Sequence, residues 1–103
     1  MSDPQKEIIP VNKIKEFCRN NPSISKLSLF GSVLSDSFNE NSDIDFLVEF
    51  EPGKTPSLFM LIDLEDELST IIHRKADLRT PEELSHYFRD EVMSTAQSLY
   101  VKS

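Results

Sequence analysis

Leu27-Ser28-Leu29-Phe30-Gly31-Ser32 and, after a polar interval, Ser42-Asp43-Ile44-Asp45-Phe46-Leu47-Val48 are the two runs around which this 103-residue chain is arranged. The first reads as an apolar strand broken by Gly-Ser. The second opens on two aspartates one residue apart and continues into a strand. Strand side chains alternate between faces, so Asp43 and Asp45 point one way while Ile44 and Phe46 point the other. At about 3.3 Å of rise per residue their Cα atoms lie roughly 6–7 Å apart. Two carboxylates so placed repel unless a positive charge stands between them, and a hard, oxygen-seeking cation such as Mg²⁺ meets that need. The bland alternative is a loop-to-strand cap beside a solvated charge.

Working outward, Ile24 to Phe30 is the first strand, with Leu27 and Leu29 on one face and Ser28 and Phe30 on the other. Before it, Val11, Ile14, Phe17 and Cys18 recur at helical spacing after Pro10, and Asn20-Asn21-Pro22 stops that helix. Residues 1–7 are polar and are expected to fray. Beyond Gly31-Ser32, Val33 to Phe38 reads as a short helix and Asn39 to Ser42 as a turn. Ile44 to Phe50 is nearly continuously apolar, as in a central strand covered on both faces. A loop over Glu51 to Pro56 leads to Ser57, a cap for a helix over Leu58 to Ile72. Its buried stripe is Leu61, Leu64, Leu68, Ile71 and Ile72, and Asp63, Glu65, Asp66 and Glu67 form its solvated face. Ala76 to Arg79 is a third strand. Thr80-Pro81-Glu82-Glu83 reads as a capping box with proline at the first helical position, so a helix is expected from there, with Leu84, Tyr87 and Phe88 on its apolar side. Val92, Met93, Ala96 and Leu99 extend a helical pattern, while Leu99-Tyr100-Val101 reads equally as a short edge strand. The whole predicts a single small α/β domain, of α+β type, with helices packed on a short mixed sheet of three to four strands.

Composition narrows the function. The 11 basic and 18 acidic residues give a net charge of −7. The basic residues are scattered, against the clustered footprint of a nucleic-acid grip, so long nucleic acid is not expected as the main ligand. Cys18 is the one cysteine, which excludes an internal disulfide. A buried, inert thiol fits its place in the helical pattern better than a nucleophile. No apolar run approaches the ~20 residues a membrane helix needs, so the expected location is the cytoplasm. The 38% apolar content is lean, leaving room for a partner to complete the surface.

The chemistry requires a third acidic group, and Asp77 supplies one if its strand lies beside the one starting at Ile44. Three carboxylates on two adjacent strands can hold two Mg²⁺ ions about 3.5–4 Å apart, which steadies both oxygens of a phosphoryl displacement. Asp77 can alternatively be a surface partner of Arg79. Gly31 permits close backbone approach, and Ser32, at the start of a short helix, adds amide and hydroxyl donors for a phosphate oxygen. Gly31-Ser32 can also be a simple turn. His73 and His86 sit at helix-end or helix-surface positions and read as structural.

Gly31-Ser32 followed by Asp43-Ile44-Asp45, with Ala76-Asp77-Leu78-Arg79-Thr80-Pro81-Glu82-Glu83-Leu84 downstream, resembles the signature of the DNA polymerase β-like nucleotidyltransferases. The chain from Leu27 onward is similar to their smallest branch, the MNT-type minimal nucleotidyltransferases, often the antitoxins of HEPN/MNT toxin–antitoxin pairs. The resemblance implies Mg²⁺-dependent transfer of a nucleotidyl group, usually AMP from ATP. Gly31 and Ser32 would hold the triphosphate, and Asp43, Asp45 and Asp77 the metals, with Asp77 sharing in deprotonation of the acceptor hydroxyl. The acceptor it implies is a tyrosine on a HEPN-type partner, in a homo- or hetero-oligomer. The chain departs from the family where many members carry Arg-x-Arg-Gly: the corresponding residues here are Val33, Ser35 and Asp36. Arg74, Lys75 or Arg79 are the candidate replacements for those cations. The departure leaves open a second reading, a pseudoenzyme antitoxin that acts by covering its partner. A small-molecule nucleotidyltransferase is a third, for which one short domain offers little acceptor pocket.

Overall fold

The computed structural model describes residues 9–31, 43–84 and 86–102. The expected helix over Val33–Phe38, the turn at Asn39–Ser42, Ser32 and the terminal residues 1–7 lie outside them. Helix α1 spans Val11–Arg19 and closes as the Asn21 side chain donates to the Phe17 carbonyl at 2.8 Å. Strands β1 (Ile24–Phe30) and β2 (Ile44–Phe50) follow. Helix α2 spans Leu58–Ile72 and begins where Ser57 accepts from the Met60 amide at 3.4 Å. It ends at His73, a non-glycine residue in the left-handed region with φ 58°. Strand β3 (Ala76–Arg79), helix α3 (His86–Thr95) and strand β4 (Gln97–Val101) complete the order.

The four strands form one sheet in the order β3-β2-β1-β4. β1 is antiparallel to β2 and to β4, whereas β2 and β3 are parallel, so the sheet is mixed as expected. The two expected strands of the central hairpin pair Leu27 with Val48, Leu29 with Phe46 and Phe30 with Asp45. Alternation then sorts the residues. Leu27, Leu29, Ile44, Phe46, Val48, Ala76 and Leu78 face α1 and α2 and are buried with Ile14, Phe17, Leu64 and Leu68 in the main core. On the opposite face, among the described residues, Phe30, Leu47 and Val92 of α3 are buried together, with Leu84 and Ala96 partly buried against them.

Two expectations are corrected. No helix begins at Pro81: Pro81–Glu83 is a single 3-10 turn, and Leu84 is extended (φ −81°, ψ 142°) before α3 starts at His86. The reason lies outside the local pattern. Arg89 of α3 donates through Nε to the Pro81 carbonyl at 2.8 Å and through Nη2 to the Leu84 carbonyl at 3.4 Å, taking up acceptors that a continuous helix would have used internally. Thr80 does not cap an amide; its hydroxyl donates to the Glu83 carboxylate at 3.3 Å. At the C-terminus the strand alternative prevails: α3 stops at Thr95, and Leu99 and Tyr100 lie in β4 against β1. Met93, placed in the apolar pattern, is exposed.

The solvated face assigned to α2 also needs amending at Glu65. Its Oε2 accepts the Leu78 amide at 2.8 Å, and one turn later the Ser69 hydroxyl accepts the Ala76 amide at 2.9 Å. These are amides of β3, the outer strand. Helix side chains thus occupy a sheet edge that would otherwise offer free donors.

Candidate functional site

Asp45 lies in β2 and Asp77 in β3, and the two are register partners across the parallel pair. Register partners share a face, and adjacent strands run about 4.8 Å apart. Asp43 stands one residue before β2 and two before Asp45, so the same alternation aims it to the same side. That side is shared with Leu47, two residues beyond Asp45. The sheet thus brings the three aspartates to one face, each partly exposed. The expectation that β3 lies beside β2 holds, and with it the common orientation of Asp77 and Asp45.

Gly31 closes this corner. Phe30 is the register partner of Asp45, and Gly31 follows with φ 76°. A Cβ added at Gly31 would collide with Oδ2 of Asp45 and would lie 3.2 Å from its Cγ. Two independent constraints therefore select glycine: a torsion that side chains rarely adopt, and the carboxylate pressed against the backbone. Ser32 falls outside the described residues.

The cations proposed as replacements for the absent arginines are partly committed elsewhere. Lys75 Nζ approaches Asp43 Oδ2 at 4.0 Å, with both side chains solvated. Arg79 Nη1 is 3.8 Å from Glu83 Oε2. Exposed pairs at these distances are weak and exchange readily with another anion. Arg79, as the register partner of Leu47, stands on the same face as the aspartates.

The donor chemistry suits a hard divalent cation, since carboxylate oxygens are what Mg²⁺ selects. Among the described residues, however, no three His, Cys, Asp or Glu side chains are gathered into a ligand set. The backbone supplies the register, while the carboxylates are turned toward their present neighbours, Asp43 toward Lys75 and Asp45 against Gly31. Cys18 is remote from this chemistry: it is buried in the main core, and burial pushes its thiol up from 9.0 to about 12. Among the described residues no helix is long and apolar enough to cross a membrane.

The family described as "Polymerase beta, Nucleotidyltransferase" matches residues 12–103. A Methanocaldococcus jannaschii protein provisionally named a protein adenylyltransferase is 37% identical over 75 residues, covering 73% of this chain and 83% of its own length. Among solved structures, a toxin–antitoxin with AMP-PNP superposes with a TM-score of 0.76 at 25% identity, covering 92% of this chain and 76% of that one. The complex of the tri-AMPylated Shewanella oneidensis HEPN toxin with its MNT antitoxin shares the fold with a TM-score of 0.69 at 24% identity, over 95% of this chain and 73% of that one. With the fold, the register of the aspartates and this match over nearly the whole length together, the chain belongs to the polymerase beta nucleotidyltransferase family and is a nucleotidyltransferase of minimal form.

Proposed function

We propose that this protein transfers AMP from ATP to a hydroxyl on a protein partner, and that the partner is a HEPN-type toxin silenced by the modification. The observation that carries the reading is the pairing of Asp45 with Asp77 beside Gly31, on the sheet face opposite the main core. The relative named for protein adenylylation and the toxin–antitoxin structure holding an ATP analogue support the same reading.

In the proposed reaction the acceptor oxygen attacks the α-phosphorus of ATP, the bond to the bridging oxygen breaks, and pyrophosphate leaves. Asp77 takes the proton from the acceptor hydroxyl, standing at the outer strand where an acceptor can approach. Gly31 lets the backbone come close to the triphosphate, and Ser32 would donate to a phosphate oxygen. Asp43, Asp45 and Asp77 are the residues that would hold Mg²⁺, whose positive charge would offset the charge developing on the phosphate oxygens. Lys75 and Arg79 can trade their exposed carboxylate partners for phosphate as nucleotide enters, in place of the missing arginines.

The test is transfer of label to the protein encoded by the adjoining gene, in the presence of Mg²⁺. Label at the α-phosphate of ATP should appear on the partner, and label at the γ-phosphate should not. Transfer from the γ-position would make the reaction a phosphorylation and overturn the reading.

A second reading, a pseudoenzyme that neutralises by binding alone, is favoured by Val33, Ser35 and Asp36 standing where many nucleotidyltransferases of this kind carry arginines and a glycine. In that case Asp43→Asn/Asp45→Asn would still neutralise the toxin in a growth assay, and calorimetry would register no heat for Mg-ATP.

A further inference from the structure

Two backbone amides flank Asp77, and side chains of α2 take both. The Ala76 amide donates to the Ser69 hydroxyl at 2.9 Å, and the Leu78 amide donates to Glu65 Oε2 at 2.8 Å. Ser69 is itself oriented, because its hydroxyl donates to the Glu65 carbonyl at 2.8 Å and so presents its lone pairs to the strand. The spacings agree. Residues four apart on a helix are separated by about 6 Å of rise, and residues two apart on a strand by about 6.6 Å. On the inner side of β3 the Ile44 amide donates to the Lys75 carbonyl at 3.0 Å, and Asp77 is the register partner of Asp45. β3 has four residues and one strand neighbour, so its pairing alone leaves it at the low-stability end of the fold. Helix α2 is the firmer body, anchored in the main core by Leu64, Leu68 and Ile72.

We infer that Glu65 and Ser69 are positioning residues for the transfer reaction: they clamp the backbone on either side of Asp77 and hold its carboxylate opposite Asp45. The inference rests on the nucleotidyl-transfer reading above and adds to it the residues that set the geometry. Asp45 is seated against the backbone of Gly31, so one carboxylate of the pair has a fixed reference. The clamp from α2 gives the other its own. A reacting group displaced by about 1 Å loses on the order of a hundredfold in rate, so slack at Asp77 falls on the chemical step. Glu65 acts here through an oxygen that accepts a hydrogen bond, and an amide oxygen at the same reach does the same. Its negative charge is therefore dispensable for positioning, whereas a proton acceptor or metal ligand would need it.

The test is steady-state transfer from α-labelled ATP to the protein encoded by the adjoining gene, with Mg²⁺, at a temperature where every variant is folded. Glu65→Ala and the milder Ser69→Ala should each lower kcat at least tenfold while KM for ATP stays within twofold of the wild type. Glu65→Gln, which keeps the acceptor oxygen, should restore kcat to within twofold. Ile14→Val, a change in the buried side of α1, lowers stability without touching the clamp and should leave kcat unchanged. A wild-type kcat in Glu65→Ala or in Ser69→Ala overturns the inference, since the contacts then serve stability alone. A Glu65→Gln variant as slow as Glu65→Ala also overturns it, because the charge of Glu65 then takes part in the chemistry. So does an equal loss in Ile14→Val, which would trace the effect to general loosening. Each of these three results leaves nucleotidyl transfer standing. Absence of label with the wild type overturns the transfer reading and this inference with it.

Discussion

At the scale of single residues, the candidate site is shaped by a glycine as well as by its acids. Gly31 has no freedom to be another residue: its φ is positive, and the space where a Cβ would go holds the Asp45 carboxylate. Gly31→Ala should therefore cost about 1–3 kcal/mol, as an enforced left-handed torsion does. It should also displace Asp45 and depress transfer by a larger factor than its loss of stability explains. Denaturant titration alongside a transfer assay at a temperature where both proteins are folded separates the two effects. Equal activity in the folded variant would mean that Asp45 needs no such seat. The aspartates themselves were legible in the sequence, because strand alternation fixes the relation of Asp43 to Asp45 by arithmetic alone. The placing of Asp77 was conditional on strand adjacency, a long-range fact that the pairing of Ile44 with Ala76 supplies. The partners of the nearby cations were less readable. The approach of Lys75 to Asp43 follows from the turn out of α2 and has no local sequence signature.

Among the elements, β3 shows how a short outer strand is kept in place. Two amides on its free edge donate to Glu65 and Ser69, residues four apart on α2 and therefore stacked on one face of the helix. Removing the acceptor leaves a partly buried donor without its partner, so Glu65→Ala should destabilise the fold by about 1–3 kcal/mol. The loss should appear as a lower urea midpoint with an unchanged slope, together with faster hydrogen exchange at the Leu78 amide. A midpoint matching the wild type would return Glu65 to the merely solvated role suggested by its acidic neighbours. The sequence places Glu65 in a run of charges and says nothing of what the helix lies against, so this role was hidden. The turn at Pro81–Glu83 was misread for a related reason. A capping pattern states where a helix can start, but Arg89 settles where it does by claiming the Pro81 and Leu84 carbonyls from farther along the chain. By contrast, the bounds of β1, β2, α2 and β3 were readable, since their apolar periodicities are punctuated by Pro22, Gly31, Ser57 and Lys75.

For the molecule as a whole, the sheet sets its main core on one face and the three aspartates on the other. The main core under α1 and α2 encloses Cys18 completely, and burial pushes its thiol up to about 12. Because the folded state favours the protonated thiol, this contribution to stability is fully present below the ordinary thiol range. It is lost as pH rises from about 9 toward 12. Stability measured by urea titration should thus be insensitive to Cys18 near neutrality and should fall as pH climbs above 9. In the same protein, iodoacetamide should alkylate the thiol in urea and leave it untouched in native buffer at pH 8. Rapid native labelling would place Cys18 at an opening in the core. The opposite face carries the aspartates beside a smaller buried group of Phe30, Leu47 and Val92.

The central claim is that Asp43, Asp45 and Asp77 act as one acidic site on that face. It is tested most directly by measuring transfer of α-labelled AMP from ATP to the protein encoded by the adjoining gene, with Mg²⁺ present, by the wild type and by Asp43→Asn, Asp45→Asn and Asp77→Asn. Each substitution preserves shape and removes one negative charge. Each variant should melt as the wild type does and lose at least a hundredfold in transfer rate, as the loss of a metal-holding or proton-accepting carboxylate does. Full transfer by a folded Asp45→Asn or Asp77→Asn variant would contradict the account.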